Sequence, residues 1–329
     1  MPRHSASRPL LAVALACATL LSACGGGGGD SSSTSSGASA GSDVSVSNYQ
    51  SLATPLARTV VNVAGSADVS GASGGTAQGA STSAVRTALR SVVSARAVAL
   101  RAGGQARVTA VTSDTVACDS SGSVTITFND ADNNGQLSVG DSISLMLSNC
   151  AFTADEPAAN GGLSMTLQGL QIDGQGIPSA LQASGSFNAL SVGADSMSGQ
   201  FQMSYAPASG GMTSVSMSFT DMTASTSGQT VVYNTTFSGQ FASDGSGSFS
   251  ITGRLGLGGE TYLLDQPQPF VLAADGHPTS GSLRMRDAAG DALVVRARPG
   301  DLVDFEFYPA GATTPSATLT GQPWSNYGG

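Results

Sequence analysis

Carboxylate, amide and hydroxyl side chains are concentrated between Asp130 and Asp141, where the sequence reads DADNNGQLSVGD. Asp130, Asp132 and Asn134 stand at alternate positions, and Ser138 and Asp141 follow. Oxygen atoms of these kinds are the ligands that hard cations such as Ca²⁺ prefer. Because they lie so close together in the chain, a single loop can wrap one cation.

The same stretch resembles the calcium loop of the EF-hand and dockerin families. The resemblance implies a sharp turn at Gly135 and six oxygen ligands: Asp130, Asp132, Asn134, the main-chain carbonyl of Gln136, Ser138 and Asp141. Two features depart from the family pattern, because Asp141 replaces the usual bidentate Glu and the flanking residues have strand rather than helix patterns. A turn that binds no metal is the alternative, since Asp, Asn and Gly favour turns. If the loop binds calcium, we expect a structural role.

The N-terminus has the features of a signal peptide with a lipidation site. Arg3 and Arg8 precede an apolar run from Leu10 to Leu21, which is shorter than the roughly 20 residues of a membrane-spanning helix. The run ends in the letters LSAC at Cys24, which resemble the lipobox of bacterial lipoproteins. In that family the peptide, here residues 1–23, is removed and the cysteine is acylated. An ordinary secretory signal is the alternative.

The residue after the cysteine indicates which membrane holds the protein. In lipoproteins an Asp at this place favours retention in the inner membrane, whereas Gly25 stands here. The resemblance therefore implies that acylated Cys24 binds the lipid bilayer of the outer membrane. Two or three acyl chains would make this anchoring stable. Residues 24–45 are rich in Gly and Ser and predict a flexible tether.

Two of the four cysteines remain for a disulfide bond. Cys17 leaves with the signal peptide and Cys24 is acylated, so Cys118 and Cys150 are left in an oxidising compartment. They flank a predicted hairpin, and a bond between them would connect both of its strands. Two unpaired thiols are the alternative.

Signals for nucleic-acid binding and catalysis are weak. The formal net charge is -9 and the chain contains no lysine, whereas binding to phosphates needs clustered positive charge. His277 is the one histidine of the mature chain and lies in a turn-like sequence. Two G-x-S-x-G matches fall in Gly/Ser-rich linkers, without the strand and helix that such a motif needs. We therefore expect neither a nucleic-acid partner nor an enzyme.

The elements that must position these residues fall into two regions. Residues 46–105 contain two segments of helical periodicity, 46–63 and 84–101, separated by a Gly/Ser/Ala linker. The first has Pro55 inside its apolar pattern of Tyr49, Leu52, Leu56, Val60 and Val63. We expect one or two short helices here.

Residues 106–329 alternate apolar and polar side chains, as in Phe201-Met203-Tyr205, and turn signals such as Asp244-Gly245 separate the runs. This pattern predicts a mainly β domain, an antiparallel meander of about ten strands that forms a sandwich or a barrel-like sheet.

Six charged residues of the predicted C-terminal strands occupy even positions: Arg284, Arg286, Arg296, Arg298, Asp304 and Glu306. Apolar residues occupy the odd positions between them, so one sheet face should carry charges and the other should be core. We expect ion pairs between strands on the charged face. An anion-binding site is the alternative.

The whole arrangement is similar to β-rich lipoproteins of Gram-negative bacteria, a resemblance that implies no specific activity. Our first hypothesis is an outer-membrane lipoprotein that serves as a structural or binding module of the cell envelope, with a protein or glycan partner that the sequence does not identify. The alternative is a periplasmic carrier or chaperone of a hydrophobic ligand such as a lipid.

Overall fold

The computed structural model describes residues 43–67, 111–118, 120–135, 138–151, 157–172, 178–226 and 229–327. The predicted signal peptide, most of the tether and the predicted helix over 84–101 lie outside these residues. One α-helix, α1 (Tyr49–Ala67), is found in the described part of the chain and precedes the sheet. No helix among the described residues is long and apolar enough to cross a membrane.

Fourteen strands follow among the described residues and form one antiparallel sheet in which each strand pairs with its neighbours in chain order. They are β1 (Val111–Ala117), β2 (Ser121–Asn129), β3 (Ser142–Ala151), β4 (Ala159–Ile172), β5 (Pro178–Val192), β6 (Asp195–Pro207), β7 (Thr213–Thr226), β8 (Gln229–Phe241), β9 (Gly247–Leu257), β10 (Glu260–Leu272), β11 (Pro278–Arg286), β12 (Ala292–Arg298), β13 (Leu302–Tyr308) and β14 (Ala317–Pro323). In the same described segments, short 3-10 helices at Ser209–Gly211 and Trp324–Asn326 follow β6 and β14. The predicted mainly β meander preceded by a helix is confirmed, with more strands than expected.

One face of this sheet forms the hydrophobic core. In β9, Phe249 and Ile251 are each 1% exposed, while the serines beside them point to the other face. Buried apolar residues from β2 to β13 form one continuous cluster. Sheets of this width usually curl or split into packed layers, and either arrangement buries one face.

Helix α1 covers the C-terminal part of the core face, where it packs against β11, β12 and β13. Its predicted apolar residues Tyr49, Leu52, Leu56 and Val60 are buried, and the ring of Tyr49 stacks on that of Phe307 with 6.4 Å between centroids. The helix continues through Pro55, although proline removes a backbone donor and strains a helix interior. Burial of the apolar side chains offsets that cost.

The chain enters the domain at the turn between β11 and β12. The carboxylate of Asp287 accepts a hydrogen bond from the backbone N–H of Val44 (2.8 Å). It also accepts bonds from the N–H groups of Gly290 (2.8 Å) and Asp291 (2.9 Å) in the turn itself. Asp287 is 9% exposed, so the end of the tether is joined to the sheet by a nearly buried group.

Turns of an antiparallel meander alternate between its two ends. We call the end with the β11–β12 turn the entry end, and the opposite end the far end. The β2–β3 loop, which contains Asp130 and Asp141, therefore lies at the far end. Since β10 has 13 residues and a strand rises about 3.3 Å per residue, the ends are on the order of 40 Å apart.

In the part of the chain that the structure describes, three strands contain a bulge whose central residue has a positive φ without being glycine. In each case a side chain of the next strand accepts the hydrogen bond of the bulged N–H. The three pairs are Asn149 (φ 48°) with Asn160 (2.8 Å), Ala189 (φ 46°) with Ser198 (3.1 Å) and Asp221 (φ 48°) with Asn234 (2.9 Å). Bulges bend and twist the strands that contain them, so these three bulges increase the bend and twist of the sheet.

Glycine accommodates the close approach at one of these bulges. Gly161 has a φ of +95°, and a Cβ atom there would lie 2.1 Å from the carbonyl oxygen of Ala189. Only glycine fits this backbone conformation and this spacing without strain.

Candidate metal site in the β2–β3 loop

Strand pairing brings the two ends of the acidic loop together. Asn129 of β2 pairs with Ser142 of β3, and Asp130 and Asp141 are the next residues outward on each strand. Strand β4 fixes Asp141 from the other side, because Leu167 N–H donates to the carbonyl oxygen of Asp141 (2.9 Å) and Gly140 N–H donates to that of Leu167 (2.8 Å). A hairpin thus places the first and last acidic residues side by side, as helices do in an EF-hand.

Three carboxylates converge in this loop. One oxygen each from Asp130, Asp132 and Asp141 lies within 4.8 Å of the others. Asp130 and Asp141 are 0% exposed, whereas Asp132 is exposed. No arginine or histidine among the described residues forms an ion pair with any of the three. The cluster therefore concentrates negative charge without a cationic side chain to balance it.

Backbone N–H groups partly compensate the charge of Asp130. Its Oδ2 accepts a hydrogen bond from Gly135 N–H (2.7 Å) and its Oδ1 accepts one from Asn134 N–H (3.2 Å). Gly135 has a φ of +73°, so the sharp turn expected at this position is present. Burial raises the pKa of the Asp130 carboxyl, but hydrogen bonds from the backbone N–H groups of Gly135 and Asn134 lower it, and the pKa lies below its ordinary value. The carboxylate is therefore held in its anionic form, the form that a cation needs.

The other predicted ligands surround the same point. Asn134 Nδ2 donates to Asp132 Oδ2 (2.8 Å). Ser138 Oγ lies 3.1 Å from Asp132 Oδ2 and 3.3 Å from Asp141 Oδ2. Asp141 also accepts bonds from the N–H groups of Ser138 (2.7 Å) and Ala131 (2.9 Å). The structure thus brings together five of the six predicted ligand residues, and the sixth, Gln136, lies outside the described residues.

The predicted disulfide bond is present between Cys118 and Cys150, whose Cα atoms are 5.5 Å apart. Cys118 lies in the β1–β2 turn and Cys150 near the end of β3, so the bond is at the entry end, opposite the acidic loop. Both ends of the β2–β3 hairpin are therefore constrained, one by a covalent bond and the other by the hydrogen bonds of the loop.

The predicted charged face of the C-terminal strands consists of ion pairs. Arg296 bonds to Glu306 (3.1 Å), which also accepts a bond from the hydroxyl of Tyr308 (2.7 Å). Arg298 bonds to Asp304 (2.8 Å).

Arg284 and Arg286 share Asp265 of β10, a partner that sequence analysis missed. The hydrogen bond from Arg284 lowers the pKa of Asp265 below its ordinary value. Since each of these four arginines already has a carboxylate partner, the geometry favours ion pairing over the anion-site alternative.

Comparison with known proteins gives no family assignment, because no protein-family model matches the chain and no curated protein is similar to it in sequence.

Proposed function

We propose that this chain is a lipoprotein of the bacterial outer membrane, anchored through acylated Cys24, whose β domain is a structural or binding module tied at its far end by calcium. The lipobox-like sequence and the Gly/Ser-rich tether support the anchor. The position of Val44 at the entry end fits this arrangement, because it directs the acidic loop away from the end that the tether reaches.

The observation that carries the calcium proposal is the convergence of three carboxylates, two of them without solvent exposure. Backbone N–H groups compensate the charges of Asp130 and Asp141 only in part, and burial of the remaining charge is unfavourable. A divalent cation would reduce the repulsion between the carboxylates, and it would join β2 to β3 through Asp130 and Asp141. With Asp132, Asn134 and Ser138 the loop offers the carboxylate, amide and hydroxyl oxygens that Ca²⁺ takes.

Packing of the core supports a structural or binding module over a carrier of a hydrophobic ligand. The ring of Phe249 lies 5.2 Å from that of Phe270 and 5.7 Å from that of Phe237, measured between centroids. Aromatic rings at these distances contact one another. Together with α1, they fill the core face of β8 to β13 with side chains of the protein itself.

Thermal unfolding tests the calcium proposal. We expect calcium to raise the melting temperature of the wild type, by the equivalent of about 2.7 kcal/mol when calcium is at 100 times its dissociation constant. Asp141→Asn removes one ligand charge and should abolish that increase. Asp275→Asn is the matched control, since Asp275 is an exposed far-end aspartate whose bond from His277 N–H an amide oxygen can also accept.

The test compares, for each protein, the melting temperature in calcium with that in chelator. This difference is used because Asp141→Asn also weakens loop hydrogen bonds and so lowers the melting temperature without calcium. The control should respond to calcium as the wild type does. A wild type with the same melting temperature in calcium and in chelator would show that the loop is a turn without a metal.

A further inference from the structure

The outer face of β4 to β7 contains a trough that neither the anchor nor the acidic loop uses. Its volume is about 360 Å³, and it is open to solvent. Short hydroxyl side chains line it together with longer amides: Ser164, Thr166, Ser184, Gln200, Gln202 and Thr220.

Strand irregularities border the trough. The pairing of β5 with β6 shifts between Phe187 and Leu190, at the bulge of Ala189, and the pairing of β6 with β7 shifts between Ser198 and Gln200. Bulges change the direction of a strand and are common beside binding sites. The trough thus lies beside two irregular strand pairings.

The residues that line the trough carry no charge, and neither do the sequences of β4 and β5. The outer face of β11 to β13 is different, because it bears the arginines and carboxylates described above. A charged ligand in the trough would lose hydration without gaining an ion pair. A neutral, hydroxyl-rich ligand fits this surface better.

The trough also offers free hydrogen-bonding groups. Ser164 Oγ bonds to Ser186 Oγ (2.9 Å), and Gln168 Nε2 donates to Ser184 Oγ (2.9 Å). By contrast, no described residue bonds to the side-chain amide of Gln200 or Gln202, and both are exposed. Each amide has two donors and an acceptor oxygen, a set that matches neighbouring hydroxyls of a sugar.

We propose that the trough binds a neutral oligosaccharide, with Gln200 and Gln202 as its main hydrogen-bonding residues. This goes beyond the proposed function, because the site depends on neither acylation nor calcium. Failure of one proposal therefore leaves the other standing.

The test measures binding of three neutral tetrasaccharides, maltotetraose, cellotetraose and chitotetraose, and of anionic tetragalacturonate. The full chain is purified in a detergent without a sugar headgroup, and binding is measured by calorimetry at millimolar sugar. Gln200→Ala/Gln202→Ala is the test variant. Gln240→Ala is the control, since Gln240 is exposed on β8 outside the trough.

We expect at least one neutral tetrasaccharide to bind the wild type and the control, and to bind the double variant about tenfold more weakly, since two hydrogen bonds are lost. Equal thermal stability of the three proteins shows that the fold is intact. The proposal is overturned if no neutral sugar binds the wild type, if the double variant binds equally well, or if tetragalacturonate binds as tightly. Concentration-dependent dimerisation that only the double variant loses would also overturn it, since the face would then join two copies of the chain.

Discussion

Removing the disulfide bond between Cys118 and Cys150 is expected to lower the free energy of unfolding by about 3.7 kcal/mol. The two residues are 32 positions apart, and the loop that they close contains β2, the acidic loop and most of β3. On the chain-entropy model a loop of this length restricts the unfolded chain by about 12.5 cal/mol/K, which gives the stated value at 25 °C.

Urea unfolding of Cys118→Ala/Cys150→Ala, compared with the oxidised wild type, measures this loss. The chain has a single tryptophan, and Trp324 is 2% exposed, so its fluorescence reports the unfolding of the sheet. Reduced wild type is the matched control, because it keeps both sulfur atoms and lacks only the bond.

The two proteins distinguish loop closure from packing. If the double variant loses stability but the reduced wild type does not, the loss comes from the space left at Cys150, which is 0% exposed. A loss below about 1 kcal/mol in both proteins would refute the reasoning from loop entropy.

Three further predictions concern single side chains. Asn234→Ala removes the acceptor for Asp221 N–H and a donor to its carboxylate, so we expect urea unfolding to show a loss of about 1 kcal/mol. Asp265 has a lowered pKa, so its contribution to stability is complete above its ordinary value of 3.8 and is lost as the pH falls through the lower folded value. Asp265→Asn should therefore be less stable than the wild type near neutral pH, and the gap should narrow in acid; a constant gap would contradict this. Asp287→Ala removes the acceptor for Val44 N–H, and limited proteolysis should then cleave the chain before α1 faster than in the wild type.

The sequence predicted those features that depend on neighbours in the chain. Apolar spacing located α1 in spite of Pro55, because its buried residues recur at helical intervals. The loop between β2 and β3 begins with Asp130 and ends with Asp141, so the pairing of the two strands brings these carboxylates together. The even positions of the charged residues in β11 to β13 similarly predicted which face of these strands carries the charges.

Features that depend on the exact register of strands with irregular patterns were not predictable. Asp265 lies in β10, where Pro267 and Pro269 interrupt the alternation, so nothing marked it as the partner of Arg284. The number of strands was underestimated because strands such as β10 alternate apolar and polar side chains only weakly. The bulge at Ala189 near the trough was also not predictable, because alanine carries no signal for a positive φ.

The central claim is that Cys24 anchors the protein to the outer membrane, and mass spectrometry of the N-terminal peptide from purified membranes tests it most directly. We predict that the mature chain begins at Cys24 and carries fatty acyl chains, and that Cys24→Ala releases the protein into the periplasmic fraction. A mature chain that begins at another residue, or that begins at Cys24 without acyl chains, would contradict the account.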